Sequence, residues 1–477
     1  MRWLAWLKHP VVEGAAVLAA VCAGGVGAVS GWSSGRLFVP DTAWATAGLW
    51  LTAATWLAGR RRGWTLAGWG LWAAGWLPLA LFLVGTWIAA GPPLGNGDGP
   101  PLGWPLGGLP LRWAEGDRLL HAHVLGPTGS GKSRRVLLPW MVHDLERGRP
   151  FTLIEPKGDL AALVRVRAHR VGGRLVVFDP LDPDCPHLNP LAGDAAAAGA
   201  SLALALDQLD PATHPFYRTV GQVLLVQVVR ALKTARPDTA DLAAVLEALR
   251  DPRRLEAALR GADDDSVAYF RAEWGALAPT RRQELQLGLV HRLRALLLHP
   301  AVARVLAPPF DFDWEEVLRD GWCVLAPLNG GALGAGARAL GTLLWHLLVQ
   351  AAYRRGPAAR LVHTVYLDEF HQYVAPDLAD VLAMVRGYGI SVVLAHQDLG
   401  QLTPPLAEAV LANARTRVVL AGSSAADVAR LAAEAMPHRY PSPRYLPPGW
   451  AVVTRTVRGR LERPRVVRLP VVRADKP

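Results

Sequence analysis

Apolar positions fall in three long blocks at the start of the chain and in many short blocks after it. The long ones run roughly from Gly14 to Trp32, Thr42 to Ala58 and Trp64 to Ala90. A helix needs about 20 apolar residues to cross a bilayer, so the third is ample, the first adequate though rich in Gly and Ala, and the second marginal. Arg2 and Lys8 ahead of the first block give it the outline of a signal peptide. Its length and the apolar runs behind it favour retention, and residues 1–90 are expected to form a transmembrane region. The next segment, GPPLGNGDGPPLGWPLGGLP from Gly91 to Pro110, is too rich in Pro and Gly to propagate a helix or strand. Residues 91–117 are expected to be a linker.

Beyond it, short continuous apolar runs predict strands: His123 to Leu125, Phe151 to Glu155, Arg174 to Phe178, Gly321 to Ala326, Thr364 to Asp368, Ile390 to Ala395, Arg417 to Ala421 and Trp450 to Thr454. Unbroken apolar strands are those covered on both faces. With helical segments between them they predict an α/β sheet. From Leu191 to about Pro309 the pattern changes to Ala/Leu-rich helical periodicity, as in DAAAAGASLALALDQL, VGQVLLVQVVRALKTA, LAAVLEALR and QELQLGLVHRLRALLL. The expected organisation is one α/β domain, 118–190 and 310–477, with an all-α domain, 191–309, inserted in it. The Ala/Leu stripes read as bundle core.

Composition separates these regions. Of 477 residues, 51% are hydrophobic and 19% charged, which excludes a long disordered chain. Thirteen of the 19 Trp lie before residue 114, more than membrane-boundary belts alone account for. A net charge of +11 fits a polyanionic partner or basic loops at a membrane surface, and charge alone does not choose between them. Cys22, Cys185 and Cys323 are far apart, which implies neither a disulfide framework nor a zinc site.

The strongest chemical signal is Gly126-Pro127-Thr128-Gly129-Ser130-Gly131-Lys132-Ser133, a complete G-x-x-x-x-G-K-[ST] between a predicted strand and a predicted helix. Glycines let backbone N–H groups close around phosphates. Lys132 would reach the β and γ phosphates of ATP, and the Ser133 hydroxyl would ligate Mg²⁺. Pro139 should bend the following helix. The run Thr364 to Leu367 ends in Asp368-Glu369. Asp368 would hold Mg²⁺, and Glu369 would orient or activate the attacking water. Gln397, at the end of the next predicted strand, is either a γ-phosphate sensor or a polar loop residue. Arg386, just before that strand, is either an arginine finger reaching across a subunit boundary or a solvated surface group, and residue type alone favours the second.

An ATP site must face the cytoplasm, and Arg2 and Lys8 favour a cytoplasmic N-terminus. Two crossings are therefore expected. Pairing the first and third blocks puts Arg60, Arg61 and Arg62 outside, against the charge rule. Pairing the first and second lays the third in the interface, bending at Pro78.

Several segments in order resemble the type IV secretion coupling proteins, the TraG/TraD-like ATPases of conjugation. They are HVLGPTGSGKS, EPKGD at Glu155 to Asp159, FDP at Phe178 to Pro180, NPL at Asn189 to Leu191, LDEF at Leu367 to Phe370, RGYGI at Arg386 to Ile390, and HQDLGQL at His396 to Leu402 followed by NARTRV. The resemblance runs from about His121 to Arg455. It implies a RecA-like P-loop NTPase preceded by transmembrane helices and assembled as a homo-hexamer around a channel. Such a motor would couple a DNA–relaxase substrate to a secretion channel in the cell membrane and drive DNA transfer by ATP hydrolysis. It makes Arg386 a finger acting on a neighbouring subunit's nucleotide, Gln397 the γ-phosphate sensor, and the all-α insertion the cargo-facing domain. The DNA would be single-stranded and held without sequence specificity. Two positions depart from the pattern. Glu155 stands where Asp is usual, and His371-Gln-Tyr-Val follows LDEF where small residues and Gly are common.

Three other readings fit the sequence less well. A chromosome-partitioning translocase of the FtsK type would share the membrane helices and motor, but no DNA-reading winged-helix segment follows residue 455. A membrane receptor using nucleotide only as a switch has little need of the Asp368-Glu369 pair. An ABC transporter is disfavoured because no LSGGQ-like segment is present. From Ala435 onward ten Lys/Arg face Glu462 and Asp475, a segment read equally as a nucleic-acid contact or a solvated hairpin with a loose tail.

Overall fold

The computed structural model describes residues 98–105, 109–237, 239–357, 361–373, 378–434 and 442–472. The expected membrane region, 1–90, with Cys22 and the 60–62 arginine triplet, lies outside them. Among the described residues no helix is long and apolar enough to cross a membrane.

The strands are β1 Pro101–Pro105, β2 Leu111–Arg112, β3 Ala122–Leu125, β4 Phe151–Glu155, β5 Leu175–Val177, β6 Cys323–Pro327, β7 His363–Asp368, β8 Ile390–His396, β9 Thr416–Leu420, β10 Trp450–Thr454, β11 Thr456–Val457, β12 Arg460–Leu461 and β13 Arg465–Arg468. The described residues divide into two compact units. One takes those up to Ala114, those of Leu125–Gly131 and those of Arg417–Pro470; the other takes those of Glu115–Val124 and Lys132–Thr416 and those after Pro470. This division does not follow the sequence-based boundaries, because strands near both ends of the chain pair with each other.

In the first unit β10 pairs antiparallel with β9 and β13, and β1 pairs antiparallel with β13 and β2. The segment 91–117 is therefore not all linker, and the expectation that it forms no strand is corrected. Pro101 and Pro105 occupy the two ends of β1, where a missing N–H costs the ladder least. The register shifts between Pro101 and Gly103. At Gly103 (φ +139°) a Cβ would lie 2.7 Å from Val467 Cγ2, so only glycine allows this approach. Buried Leu102 and Trp113 anchor the segment.

In the second unit the strand order is β3-β8-β7-β4-β6-β5. The pairs β8–β7, β7–β4, β4–β6 and β6–β5 are parallel. Every residue of β4, β6, β7 and β8 is buried, as unbroken apolar runs require. Helices α1 Leu138–Glu146 and α2 Asp159–Val171 connect the early strands. Lys132–Leu137, just ahead of α1, is a π-helix, and Pro139 falls in the first turn of α1. The helical segment thus widens just ahead of Pro139, where a proline-induced irregularity is expected.

Between β5 and β6 the described residues hold helices: α3 Ala195–Asp207, α4 Pro215–Ala235, α5 Leu242–Arg250, α6 Pro252–Leu259, α7 Asp264–Ala268, α8 Pro279–Leu296 and α9 Pro300–Val305, then α10 Trp314–Asp320. Their starts carry the residue types that helix N-termini favour. Asp194, Asp241, Asp251 and Asp263 accept first-turn N–H groups, and Pro opens α4, α6, α8 and α9. The remaining helices are α11 Gly330–Leu333, α12 Ala335–Arg355, α13 Leu378–Val385, α14 Pro404–Asn413 and α15 Ala425–Glu434. Most of α12 is buried. Cys185 and Cys323 are free and buried, their thiols pushed up to about 12 by that burial.

Candidate functional site

The phosphate-loop motif divides between the units. Within the first, a turn closes where Ser130 N donates to the Pro127 carbonyl. Gly129 (φ +78°) and Gly131 (φ +100°) take the left-handed conformations that side chains resist. A Cβ on Gly126 would lie 2.7 Å from Leu420 Cβ and 2.8 Å from Ser130 Oγ. The next residues in the chain, Lys132 and Ser133, open the helical segment of the second unit.

There they meet the carboxylates. Parallel strands β7 and β8 end side by side, in register to the pair Asp368 and Ala395, which delivers Asp368, Glu369 and Gln397 to one edge. Ser133 Oγ donates to Asp368 Oδ2 at 3.2 Å. Lys132 Nζ lies 3.7 Å from Glu369 Oε1, and Gln397 Nε2 donates to that same oxygen at 3.2 Å. Lys132, Asp368 and Glu369 are buried. Burial pushes the Asp368 carboxyl up to about 6, helped by the neighbouring Glu369 and opposed by Lys132 and Ser133. Burial likewise holds the Lys132 ammonium below its ordinary value, against the pull of both carboxylates. Glu369 has φ +51°, strain of the kind that collects at functional sites.

The residues fit a magnesium–nucleotide complex. Asp368 Oδ1 is buried with no hydrogen-bond partner among the described residues, although its sister oxygen is engaged. A hydroxyl and a carboxylate 3.2 Å apart are the hard oxygen donors that Mg²⁺ selects. Arg386, in contrast, is exposed on a 3₁₀ turn, Arg386–Tyr388, and joins none of the contacts described among Lys132, Asp368, Glu369 and Gln397.

Sequence reading missed the residues that brace this cluster. Arg118 forms a bidentate pair with buried Asp144 at 2.5 and 2.7 Å. Tyr366, two residues before Asp368 on β7, donates to the same carboxylate at 2.6 Å. His123 on β3 and His396 on β8 stack, with Nε2 atoms 2.7 Å apart, and Phe370 packs edge-on to His396. Gln401 caps the turn after Gln397 through a capping box with Asp398. Only this last had a sequence signal, D-x-x-Q at Asp398 to Gln401.

Residues 363–437 match the family described as the TraM recognition site of TraD and TraG. No curated protein matches the chain. Among solved structures, the bacterial conjugative coupling protein TrwB in its unbound monoclinic form aligns with a TM-score of 0.58 at 17% identity, over 77% of this chain and 88% of that one. The plasmid coupling protein TrwB in complex with ADP and Mg²⁺ gives 0.59 at 17% identity, over 81% and 92%. VirB4 of Thermoanaerobacter pseudethanolicus gives 0.51 at 14% identity, over 80% and 99%. The chain therefore has the fold of the conjugative coupling protein TrwB, and its residues 363–437 match the TraD and TraG family model.

Proposed function

We propose that this chain is a membrane-anchored ATPase that couples a DNA–relaxase substrate to a type IV secretion channel and drives DNA transfer by ATP hydrolysis. The observation that carries the reading is the convergence of Lys132, Ser133, Asp368, Glu369 and Gln397 at the ends of β7 and β8. The likeness to TrwB, whose nucleotide complexes include ADP with Mg²⁺, supports it.

Lys132 sits where it can pass from Glu369 to a phosphate, its charge already held in a buried site. Ser133 and Asp368 would hold Mg²⁺, which when bound neutralises charge on the phosphates. Glu369 would accept the proton of the attacking water on Oε2, the oxygen left without a hydrogen-bond partner while Oε1 is held by Gln397. Gln397 connects that carboxylate to the γ-phosphate position, its amide able to donate to both. Exposed Arg386 would complete the site of a neighbouring subunit in a homo-hexamer. Residues 1–90 supply the anchor, with two crossings and the motor in the cytoplasm. The all-α segment 191–309 faces the cargo. Single-stranded DNA would be held through its phosphates, without sequence specificity and with strong salt dependence.

The test is ATP hydrolysis by the purified full chain with and without single-stranded DNA. We expect hydrolysis, stimulation by DNA at low salt, and no turnover in Lys132→Ala or Glu369→Gln. Plasmid transfer should fail with Lys132→Ala. Turnover indifferent to DNA at every salt concentration would count against a DNA motor, and full activity in Glu369→Gln would remove that residue from the chemistry. Loss of chromosome segregation with plasmid transfer intact would favour a partitioning translocase.

A further inference from the structure

His371 lies beside the cluster of Lys132, Asp368, Glu369 and Gln397, and the side chain of Gln401 next to it assigns its tautomer. Gln401 is the starting point. Its Oε1 accepts from the backbone N–H of Gln397 at 3.0 Å and of Asp398 at 3.3 Å. Two N–H donors on one atom identify it as the amide oxygen, so the amide orientation is settled by the backbone. The Gln401 NH₂ group then necessarily points the other way, and it lies 3.5 Å from His371 Nε2. An NH₂ group only donates, so Nε2 must be the accepting nitrogen. A neutral imidazole with an accepting Nε2 carries its proton on Nδ1. That Nδ1 faces Glu369 Oε2 at 3.7 Å. Burial holds His371 below its ordinary value, consistent with a neutral ring.

The ring has little freedom to turn elsewhere. It sits in a 3₁₀ turn, Phe370–Gln372, between two buried aromatic anchors. Phe370 packs against His396 at 5.0 Å. Tyr373 fills the space that Gly341 of α12 leaves, where a Cβ would meet the ring at 2.3 Å. The Tyr373 carbonyl accepts from Thr342 Oγ1 at 2.6 Å.

We infer that His371 is a positioning residue for Glu369, held by Gln401 in the Nδ1–H tautomer so that it orients the Oε2 side of the carboxylate toward the attacking water. It therefore links the γ-phosphate sensor to the group that activates water: Gln401 holds the turn after Gln397, and His371 joins Gln401 to Glu369. With Oε1 tied to Lys132 and Gln397, both carboxylate oxygens gain a fixed neighbour, and one lone pair of Oε2 stays open to water. This role rests on the ATPase reading above.

Two measurements test it. The first is steady-state ATP hydrolysis by His371→Ala and His371→Asn, each checked for folding by thermal unfolding. Asn can place its side-chain N–H where the imidazole Nδ1–H lies. The expected result is a kcat loss of about tenfold or more in His371→Ala with KM for ATP changed by less than about twofold, and recovery to within about threefold of wild type in His371→Asn. The second is ¹⁵N NMR of the wild-type imidazoles, with His371 assigned by its loss in His371→Asn, where an Nδ1-protonated neutral ring is expected. Wild-type kcat in a folded His371→Ala, equal losses in both variants, or an Nε2-protonated ring would each overturn the positioning role and leave the ATPase reading intact. A wild-type chain with no ATP hydrolysis would overturn the ATPase reading and this role with it.

Discussion

Glu155 shows what one side chain contributes and why its role could not be read in advance. It stands where the resembled family has Asp, and the sequence offers no reason for the longer residue. In the structure it ends β4, is fully buried, and accepts the backbone N–H groups of Leu160 and Ala161 in the first turn of α2. The cap residue of that helix, Gly158, has no side chain to do this, and Glu reaches one methylene further than Asp. Burial pushes its carboxyl up to about 7, reinforced by Asp159 and Asp368 and opposed by the two N–H groups. The folded chain therefore holds a proton that the unfolded chain releases near 4.5. Glu155 thus lowers stability progressively as pH rises from about 4.5 to 7. Glu155→Gln should match wild type near pH 4.5 and exceed it above pH 7 by up to roughly 3 kcal/mol. Urea unfolding across that range checks it, and an advantage that instead grows toward acid would contradict the assignment. The phosphate-loop residues were legible because their motif is local. Glu155 and His371 were not, because their partners come from other turns and elements.

Among elements, the C-terminal hairpin corrects the reading of charge. Arg455 and Arg465 belong to the basic run considered for nucleic-acid contact. Both are buried against Glu462, with Arg465 Nε 3.1 Å from it and Arg455 bonded to it and to the Arg112 carbonyl. They hold β10, the β11–β12 hairpin and the chain near β2 together within the first unit. Removing one partner of a buried pair leaves an uncompensated charge. Arg455→Ala should destabilise the protein by about 3 kcal/mol, seen as a lower Tm, while the salt dependence of DNA binding keeps its slope. A reduced slope with unchanged Tm would return Arg455 to the DNA-binding residues. The core strands were predicted almost to the residue, since burial on both faces leaves an unbroken apolar run. β1 was missed because its two prolines and its glycine bulge are the signals by which a strand is ordinarily ruled out.

For the whole molecule, Arg386 supplies the decisive experiment. It is exposed and outside the buried cluster, so a finger role requires a neighbouring chain. Lys132→Ala and Arg386→Ala should each be inactive alone. Mixed, they should regain part of wild-type turnover, because an interface can then join an intact nucleotide site to an intact arginine. Mixtures as inactive as the separate variants would argue against action across subunits. Turnover per chain should also rise with protein concentration through the range of assembly. The sequence by itself determined the α/β class, the all-helical character of the insertion, the phosphate loop and the Asp368-Glu369 pair. Each of these is written in local periodicity or in a contiguous motif that one segment satisfies alone. Only the tertiary structure decided which groups share a site. It brought Ser133 to Asp368 and Gln397 to Glu369, turned His371 toward that carboxylate, and withdrew Arg455 and Arg465 into the interior. Such pairings depend on strand order and on the directions side chains take when distant segments pack, and no local pattern of residues encodes either.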